Sequence, residues 1–356
     1  MNDGNLRVGI IGAGGIARGA HVPGYRSSGR ADVRAVCDVN AEAARVFAET
    51  QGVPHHYGGV EAMLEQEELD VVSICTSNDA HHPAALAAIE RGLHVFCEKP
   101  LAMDFLQALE MHDAAAAKGV VTGINFTYRT TPAARYIKEL TEEAIFGDVK
   151  HFSIEYYQSY SVHPGRTLEW RFQKQLTGTG ALADLGSHAT DLALWLNGGI
   201  SGARGQMATF IHERPLQDGS GMGIVDVDDA TTFLATYENG ATGVVDATRF
   251  ATGRTNHQRI SIYGDKGSLV FQNGPEARIE VAVEPFSKDG SAVLVPVPSR
   301  LAASPRSHVP AFVNTILDGA PADFPTFADG LRTQEVLEAA EVSHVEDRWV
   351  SLPLPR

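Results

Sequence analysis

Apolar runs and helical patterns alternate along the first third of the chain. The short apolar runs occupy residues 6–11, 32–37, 70–75, 93–97 and 120–124. Helical patterns at 83–91 and 106–118 separate the later runs. Strands that are apolar throughout, with helices between them, are typical of a parallel sheet covered on both faces. The pattern therefore predicts a doubly wound α/β domain over residues 1–125.

The periodicity changes after residue 125. A helix is predicted at 132–141, and short strands joined by tight turns follow at 149–157, 203–212, 230–237, 241–250, 257–263, 267–272, 277–283 and 292–297. Glu238-Asn239-Gly240 is a strong hairpin signal, because Asn and Gly tolerate the positive φ angles of such turns. We expect residues 126–356 to form an α+β domain with a large, mainly antiparallel sheet. The Gly-rich, acidic stretch 215–229 is predicted to be a mobile loop, and 296–306 a second irregular segment.

Composition and charge exclude several classes of protein. The 356 residues are 44% hydrophobic and carry a formal net charge of −15, so the chain is globular and its surface repels nucleic acid. The three cysteines lie in apolar runs, as buried thiols in a reducing compartment do. The N-terminus lacks the features of a secretory signal, and the apolar runs are too short to span a bilayer. We expect a cytoplasmic protein without a nucleic-acid or membrane partner.

A glycine-rich turn follows the first predicted strand. Gly12 permits a tight turn, Gly14 removes a Cβ that would obstruct a pyrophosphate, and Ala17 lets the following helix pack closely on the strand. The N-terminus of that helix presents unpaired N–H groups to an anion. Gly12, Gly14, Gly15 and Ile16 are therefore predicted to bind the phosphates of a dinucleotide in a Rossmann fold.

Asp38 ends the second predicted strand. It lies about 20 residues after the glycine-rich turn, where Rossmann domains place the acid that binds the adenosine ribose. A carboxylate there repels a 2′-phosphate, and the nearest downstream arginine, Arg45, is a helical turn too far to replace it. NAD is therefore favoured over NADP. Alternatively, Asp38 caps the helix that begins at Ala41.

Polar residues also follow the other strands of the predicted parallel sheet, where ligands bind in such folds. They are Thr76, Ser77, Asn78 and His81 after one strand, Glu98 and Lys99 after the next, and Asn125 after the last. We expect all of them to line the cofactor site, although His81 also fits a helix cap or a surface position. Lys99 can stabilise a developing alkoxide, and its alternative role is a salt bridge with Glu98.

One predicted helix, residues 182–196, carries a group of ionisable residues. Asp184, His188 and Asp191 have the spacing that places them on one helical face. A histidine can accept a hydroxyl proton, and a neighbouring carboxylate can hold a second hydroxyl or orient the imidazole. Three other interpretations stay open: Asp184 caps the helix, the three residues bind a metal, or the helix is an interface element. No cysteine or second histidine has ligand spacing nearby in the sequence, so we expect no metal.

Side chains suited to a polyhydroxylated substrate lie outside this helix. Trp170 offers a stacking face, Arg171 offers hydrogen-bond donors, and Tyr128 follows the last strand of the first domain. Each of the three also fits a packing or surface role. We include them as candidate substrate contacts.

Together these motifs resemble the Gfo/Idh/MocA family of nicotinamide-dependent oxidoreductases. The matching segments are GAGGIA at 12–17, Cys37-Asp38, residues 74–102 with Glu98-Lys99-Pro100, GALADLGSHATDLALWL at 180–196, and residues 327–341. The resemblance implies that Lys99, Asp184 and His188 are the catalytic residues. It also implies oxidation of a sugar or cyclitol, such as an inositol, a pyranose or an anhydrosugar, with hydride transfer to NAD.

In the mechanism that this resemblance implies, His188 is the general base, Lys99 stabilises the oxyanion and Asp184 positions substrate hydroxyls. The alternatives are a reductase of a keto-sugar, an enzyme with a tightly bound cofactor, and a non-catalytic NAD-binding regulator. Retention of all three residues argues against the regulator, which needs only the glycine turn. A sheet covered by helices on one side leaves its other face for a partner, so we expect a homodimer or homotetramer through the second-domain sheet.

Overall fold

The computed structural model describes residues 4–274, 278–283, 293–296 and 307–355. The chain divides into two compact units, each built from two segments. Unit 1 comprises Met1–Thr127 and Pro305–Leu331, and unit 2 comprises Tyr128–Ser304 and Arg332–Arg356. The predicted irregular segment 296–306 lies, apart from its first residue, outside the described residues.

Unit 1 contains a six-stranded parallel sheet with the order β3-β2-β1-β4-β5-β6. Its strands are β1 Leu6–Ile11, β2 Ala31–Cys37, β3 His55–Tyr57, β4 Val71–Ile74, β5 His94–Cys97 and β6 Thr122–Ile124. Its helices are α1 Val22–Ser28, α2 Ala41–Gln51, α3 Val60–Gln66, α4 His81–Glu90, α5 Phe105–Lys118 and α9 Val309–Asp318. The predicted doubly wound sheet is confirmed. The short strand β3 was not predicted, because its two histidines are exposed and it forms no apolar run.

Unit 1 also includes a segment from late in the chain. Val309, Phe312 and Val313 of α9 are buried in the same core as Phe96. The backbone N–H of Ile124 donates to the carbonyl of Pro325 (2.9 Å). Because α9 completes this core, the structure departs from the predicted division, in which everything after residue 125 formed the second domain.

Unit 2 is built on a nine-stranded sheet with the order β16-β15-β14-β13-β7-β12-β11-β8-β17. Its strands are β7 Val149–Tyr157, β8 Ile200–Ala208, β11 Ala230–Tyr237, β12 Thr242–Thr248, β13 His257–Gly264, β14 Gly267–Gln272, β15 Arg278–Val283, β16 Val293–Val295 and β17 Val350–Ser351. Only β12 and β7 pair in parallel, among the pairs that the described residues form. The predicted mainly antiparallel sheet is thus confirmed.

Helices cover one face of this sheet. They are α6 Pro132–Glu142, α8 Ser187–Asn197 and part of α10 Phe327–Glu346, which begins within unit 1; α7 Lys174–Thr177 is a single short turn. Phe233 and Ala235 of β11 face this core and are 1% and 2% exposed, whereas Leu234 between them is 52% exposed. Part of the opposite face is polar, because the carboxylate of Asp246 accepts hydrogen bonds from Tyr157 and Thr232 there (2.6 Å each).

The predicted mobile loop at 215–229 is wrong in part. Two short strands, β9 Glu213–Pro215 and β10 Met222–Ile224, pair as a hairpin whose tip contains Gly219 and Gly221. The acidic residues after it are not solvent-facing as a group, since Asp228 and Asp229 are buried and accept backbone hydrogen bonds. Within the described parts of the chain, the helices lack the length and apolar character needed to cross a membrane.

Candidate active site

The turn after β1 has the shape of an anion cradle. Gly12 has a φ of +99°, and a Cβ there would lie 2.7 Å from the carbonyl oxygen of Cys75, so only glycine fits. A Cβ on Gly14 would be 3.9 Å from that oxygen, and one on Gly15 would meet nothing within 4 Å. These two glycines therefore leave open space beside the start of the helix, where a phosphate can approach backbone N–H groups.

The helix that follows begins with a π-helical turn, Ala17–His21, and continues as α1. Ile16 stands before it and is 41% exposed, while Ala17 is fully buried against the strand, as its small size predicts. His21, at the end of this turn, is also buried. The turn thus has both ends buried in unit 1, and Arg18 and Gly19 between them are exposed.

Asp38 supports the glycine turn directly. Its Oδ2 accepts the backbone N–H of Ala13 and its Oδ1 accepts that of Asn40, both at 2.8 Å. The cap of α2 is Asn40, whose side chain accepts the N–H of Ala43 (3.1 Å), so the capping interpretation of Asp38 is wrong. A carboxylate accepts about four hydrogen bonds, so Asp38 can bind ribose hydroxyls while holding the turn.

The surroundings of Asp38 contain little to attract a 2′-phosphate. Val39 is 97% exposed and apolar. Arg45 forms ion pairs with Glu42 (2.6 Å) and Glu49 (2.5 Å) on its own helix. This arrangement agrees with the sequence-based preference for NAD.

A buried polar chain connects the ends of three strands in unit 1. The imidazole of His21 contacts Ser73 Oγ through Nδ1 and Glu98 Oε1 through Nε2, both at 2.7 Å. Asn125 Nδ2 donates to the same Glu98 oxygen (2.6 Å). Burial by itself would raise the pKa of Glu98. That pKa is nevertheless lowered to about 2, because His21, Asn125 and Lys99 favour the carboxylate. Against its own burial, contacts with Cys75 and Glu98 raise the pKa of His21 to about 10.

Lys99 follows this chain directly. Its backbone N–H donates to Glu98 Oε2 (3.3 Å), and the Glu98 carboxylate makes its ion pair with His21. Glu98 thus has a hydrogen-bonded ion-pair partner, His21, that sequence reasoning missed, and the charge of Lys99 also favours its carboxylate. No local signal could have revealed it, since the two partners are 77 residues apart.

The remaining residues at the strand ends divide into two groups. Thr76 and Ser77 are half-buried, and Ser77 Oγ donates to Asp79 (2.6 Å) beside the buried Asn78. His81 begins α4 but is fully buried, and its Nδ1 contacts the carbonyl of Pro100 (2.8 Å). Burial lowers the pKa of His81, so this residue is a neutral internal histidine. The alternative of a surface position for His81 is therefore wrong.

In unit 2, Asp184 lies in a second π-helical turn, Leu182–Gly186, which leads into α8. The cap of this turn is the buried Asp228, whose carboxylate accepts the backbone N–H groups of Gly180 (2.5 Å) and Leu182 (3.0 Å). The capping interpretation of Asp184 is therefore wrong. Asp184 Oδ2 instead accepts the hydroxyl of Tyr160 (2.8 Å).

His188 begins the regular part of α8 and is 8% exposed. The ring of Tyr128 meets it edge-on at a centroid distance of 4.8 Å, and Tyr156 lies at 6.2 Å. The hydroxyls of these tyrosines contact each other (2.6 Å), and both reach Asn256 Oδ1 (2.8 Å). Gln158 Nε2 donates to the hydroxyl of Tyr156 (2.8 Å). The histidine thus lies between aromatic walls that carry several hydroxyl and amide groups.

Asp191 is the third ionisable residue of the predicted helical face, and its carboxylate pairs with an arginine. It is 1% exposed and binds Arg129 through both oxygens, to Nε at 2.9 Å and Nη2 at 2.5 Å. Arg129 lies 5.4 Å from the ring centroid of Trp195. Asp191 is therefore a structural ion-pair partner, which argues against the metal interpretation of the three residues.

Trp170 and Arg171 form a short 3₁₀ turn with Phe172. The guanidinium carbon of Arg171 lies 4.4 Å from the ring centroid of Trp170, so the two side chains stack. Both are half-buried, whereas Phe172 is fully buried. The turn therefore presents a stacked aromatic and cationic pair to solvent.

The sheet order 3-2-1-4-5-6, the glycine turn and Asp38 define a dinucleotide-binding protein. The chain matches the family model described as "Oxidoreductase family, NAD-binding Rossmann fold" over residues 6–126 and the GFO/IDH/MocA C-terminal domain over residues 134–270. The protein is a member of the GFO/IDH/MocA family of oxidoreductases, and its cofactor is NAD.

Similar proteins extend over nearly the whole chain. Levoglucosan dehydrogenase of Pseudarthrobacter phenanthrenivorans is 32% identical over 98% of this chain and 98% of its own. A structure of levoglucosan dehydrogenase in complex with NADH and L-sorbose has a TM-score of 0.90 at 32% identity, covering 98% of this chain and 99% of that one. An oxidoreductase domain protein from Kribbella flavida has a TM-score of 0.89 at 34% identity, with coverage of 98% and 100%. The family and fold expected from the sequence are confirmed.

Proposed function

We propose that this protein is a sugar dehydrogenase that oxidises a secondary alcohol of a pyranoside or anhydrosugar to a ketone, with NAD as the oxidant. The observation that carries the proposal is the placement of His188 and Asp184 on one helical segment, beside tyrosine hydroxyls and amide groups. Relatives named levoglucosan dehydrogenase and D-glucoside 3-dehydrogenase support a sugar in preference to an inositol. The second of these, from Escherichia coli, is 34% identical over 56% of each chain.

The residues of unit 1 fit the cofactor. Gly12, Gly14, Gly15 and Ile16 would take the pyrophosphate, and Asp38 the adenosine ribose, since the turn leaves open space and the carboxylate keeps acceptor capacity. Thr76, Ser77, Asn78, Glu98 and Asn125 would line the remainder of the site, with His81 supporting them from the interior. When bound, NAD supplies the carbon centre that accepts the hydride from the carbinol.

The proton and the charge of the reaction are assigned to this chain's own residues. His188 takes the hydroxyl proton, and its burial beside Tyr128 keeps bulk water from competing for that proton. Lys99 stabilises the negative charge that develops on the oxygen. Asp184 can accept a substrate hydroxyl alongside Tyr160, since a carboxylate accepts several hydrogen bonds.

Substrate contacts come from two further places in unit 2. The stacked pair of Trp170 and Arg171 offers an apolar face and donors to a sugar ring. Tyr128 contributes a hydroxyl beside His188.

We also propose that copies of the chain associate as dimers or tetramers through the face of the nine-stranded sheet that carries Leu234. A monomeric mass by light scattering would refute this association.

The test of the proposed function is NAD reduction by the purified protein against levoglucosan, alkyl glucosides, glucose and myo-inositol. We expect turnover with an anhydrosugar or pyranoside. The His188→Asn variant should lose about 10²–10⁴-fold in kcat while binding NAD unchanged by calorimetry. His212→Asn is the matched control, because His212 is an exposed histidine of the same unit.

Two results would count against the proposal. Full turnover by His188→Asn would place the base elsewhere. Absence of turnover across the panel with intact NAD binding would favour the non-catalytic regulator.

A further inference from the structure

Two arginines of unit 2, Arg214 and Arg249, are fully buried, although arginine is always charged. Their guanidinium carbons lie 4.1 Å and 5.1 Å from the ring centroid of Phe172. Arg214 donates to the backbone carbonyls of Ser161 (2.6 Å) and His163 (3.0 Å). These contacts hold the segment before Phe172 in place.

Arg249 makes a different set of contacts. Its Nη1 donates to the hydroxyl oxygen of Tyr160 (3.1 Å) and to the carbonyl of Arg171 (2.9 Å), and its Nη2 to the carbonyl of Asp228 (2.7 Å). The Tyr160 hydroxyl in turn donates to Asp184 Oδ2 (2.8 Å). One guanidinium group therefore connects Asp184 with the turn that carries Trp170 and Arg171.

Gly180 packs closely against Asp228 and Arg249. A Cβ on Gly180 would lie 1.9 Å from the Asp228 carbonyl oxygen and 2.6 Å from Arg249 Nη2. The side chain of Asp228 caps the π-helical turn that contains Asp184, while its carbonyl accepts from Arg249. The arginine is therefore tied to Asp184 by two routes, through Tyr160 and through the backbone of residue 228.

We infer that Arg249 and Tyr160 are positioning residues that fix Asp184 and the Trp170–Arg171 turn in one geometry for the same sugar. The inference rests on the proposed function, in which those groups contact the substrate. A planar guanidinium suits this task, because it donates in several fixed directions at once and a lysine does not. The two substrate contacts come from chain segments that are not adjacent in sequence, so their spacing depends on this link.

The same contacts act on the charge of Asp184. The groups that face it are the Tyr160 hydroxyl, the Arg249 cation behind that hydroxyl, Tyr156 and, one turn along the helix, His188. A hydrogen bond to a carboxylate and a nearby cation both favour its ionised form. Burial opposes the charge of Arg249, but Tyr160, Asp184 and Asp228 raise its pKa, so the cation is retained at every working pH.

The experiment compares three variants, Tyr160→Phe, Arg249→Lys and Arg214→Lys, with the wild type. Arg214→Lys is the matched control, because it alters an equally buried arginine on the same phenyl ring that holds Ser161 and His163. For Arg249→Lys we expect kcat/KM to fall at least about tenfold, mainly through KM. For Tyr160→Phe we expect kcat/KM to fall by about tenfold, again mainly through KM, because Asp184 loses the hydroxyl that orients it. Arg214→Lys should stay within about threefold of wild type, and the Kd for NAD should be unchanged in all three.

A second readout does not depend on turnover. Hydrogen exchange measured without substrate should rise in both 168–173 and 180–188 for Arg249→Lys, and in neither for Arg214→Lys, whose hydrogen bonds are to Ser161 and His163. If the wild type oxidises no sugar, the proposed function fails. Hydrogen exchange still shows whether Arg249 links the two segments. Equal losses for both arginine variants, an unchanged KM for Tyr160→Phe, or exchange that rises in one segment only for Arg249→Lys would each overturn the inference. Tyr160→Phe removes a single hydroxyl, so this variant still tests the inference if Arg249→Lys does not fold.

Discussion

Replacing His21 with alanine should destabilise unit 1 far more than the loss of an ordinary buried histidine. The imidazole binds Ser73 and Glu98 and meets the ring of Phe96 edge-on at 5.5 Å. Without it, Glu98 keeps Asn125 and the nearby charge of Lys99 but loses its hydrogen-bonded cationic partner. Removing one member of a buried ion pair leaves an uncompensated charge in the interior, which is the costly outcome.

The magnitude follows from the titration of Glu98. Burial raises the pKa of this carboxyl, yet His21 and its other partners lower it from 4.5 to about 2. At about 1.4 kcal/mol per pKa unit the whole shift is about 3.5 kcal/mol of stability, of which His21 supplies the largest share and Asn125 and Lys99 the rest. Broken buried pairs cost about 3–5 kcal/mol. The Glu98 contribution is present above pH 4.5 and is lost as the pH falls through 2. The His21 contribution is present below pH 6.5 and is lost as the pH rises through its raised pKa of about 10.

His81→Ala is the matched control. His81 is equally buried in unit 1 and contacts backbone groups of Pro100 and Thr76, but burial lowers its pKa and leaves it neutral at pH 7. Both alanine variants leave a cavity of similar size. The difference in unfolding free energy between them therefore measures the contacts peculiar to His21, and its dependence on pH measures the part due to charge.

The cysteines provide the assay. Cys37, Cys75 and Cys97 are the only cysteines of the chain, all lie in unit 1, and they are at most 6% exposed. Pulsed alkylation across a urea titration therefore reports the unfolding of unit 1, whereas the three tryptophans, Trp170, Trp195 and Trp349, report only on unit 2. We expect His21→Ala to cost about 3 kcal/mol more than His81→Ala at pH 6–7, with the gap narrowing as the pH approaches 10. Equal losses, or a gap that stays constant to pH 10, would refute the reasoning.

Two further predictions concern single carboxylates. Asp38→Asn should weaken NAD binding by about 10–100-fold, because a charged acceptor for ribose hydroxyls is worth about 1.5–3 kcal/mol. It should also raise the affinity for NADP relative to NAD. Calorimetry with both cofactors measures this ratio of affinities, and an unchanged ratio contradicts the role of Asp38. Asp191→Asn should destabilise unit 2 by about 3–5 kcal/mol, because it removes the charge opposite the buried guanidinium of Arg129. Trp195, whose ring centroid is 5.4 Å from that guanidinium, reports the unfolding by fluorescence, and a loss below about 1 kcal/mol would show that the pair is dispensable.

The parts of the site that depend on local backbone geometry could be predicted from the sequence. Gly12 needs a positive φ and a close approach to Cys75, and Asp38 ends the neighbouring strand at the expected spacing. Both requirements are set by the strand, turn and helix in which these residues lie. The strands of unit 2 could also be predicted locally. One face of their sheet packs on helices, so apolar and polar residues alternate along each strand.

Partners distant in sequence could not be predicted. His21 and Glu98 are 77 residues apart, and Arg249 and Tyr160 are 89 apart, so neither pair leaves a periodic pattern. The helix of Asp184 and His188 was assumed to be regular, whereas its first turn is π-helical and Asp191 binds Arg129. The hydrophobic pattern of α9 predicts a buried face but does not say which core it covers.

The contribution of α9 to unit 1 has a consequence for synthesis of the chain. Phe312 packs against Phe96 and Phe324, with ring centroids 5.3 Å and 5.7 Å apart. These late residues leave the ribosome only after most of unit 2, so the cofactor-binding core stays incomplete until nearly the whole chain has been made. A nascent chain halted before residue 305 exposes the apolar surface of Phe96, the kind of surface that chaperones bind. Truncation from the C-terminus should therefore abolish the solubility of the N-terminal unit before it affects any residue of the glycine turn.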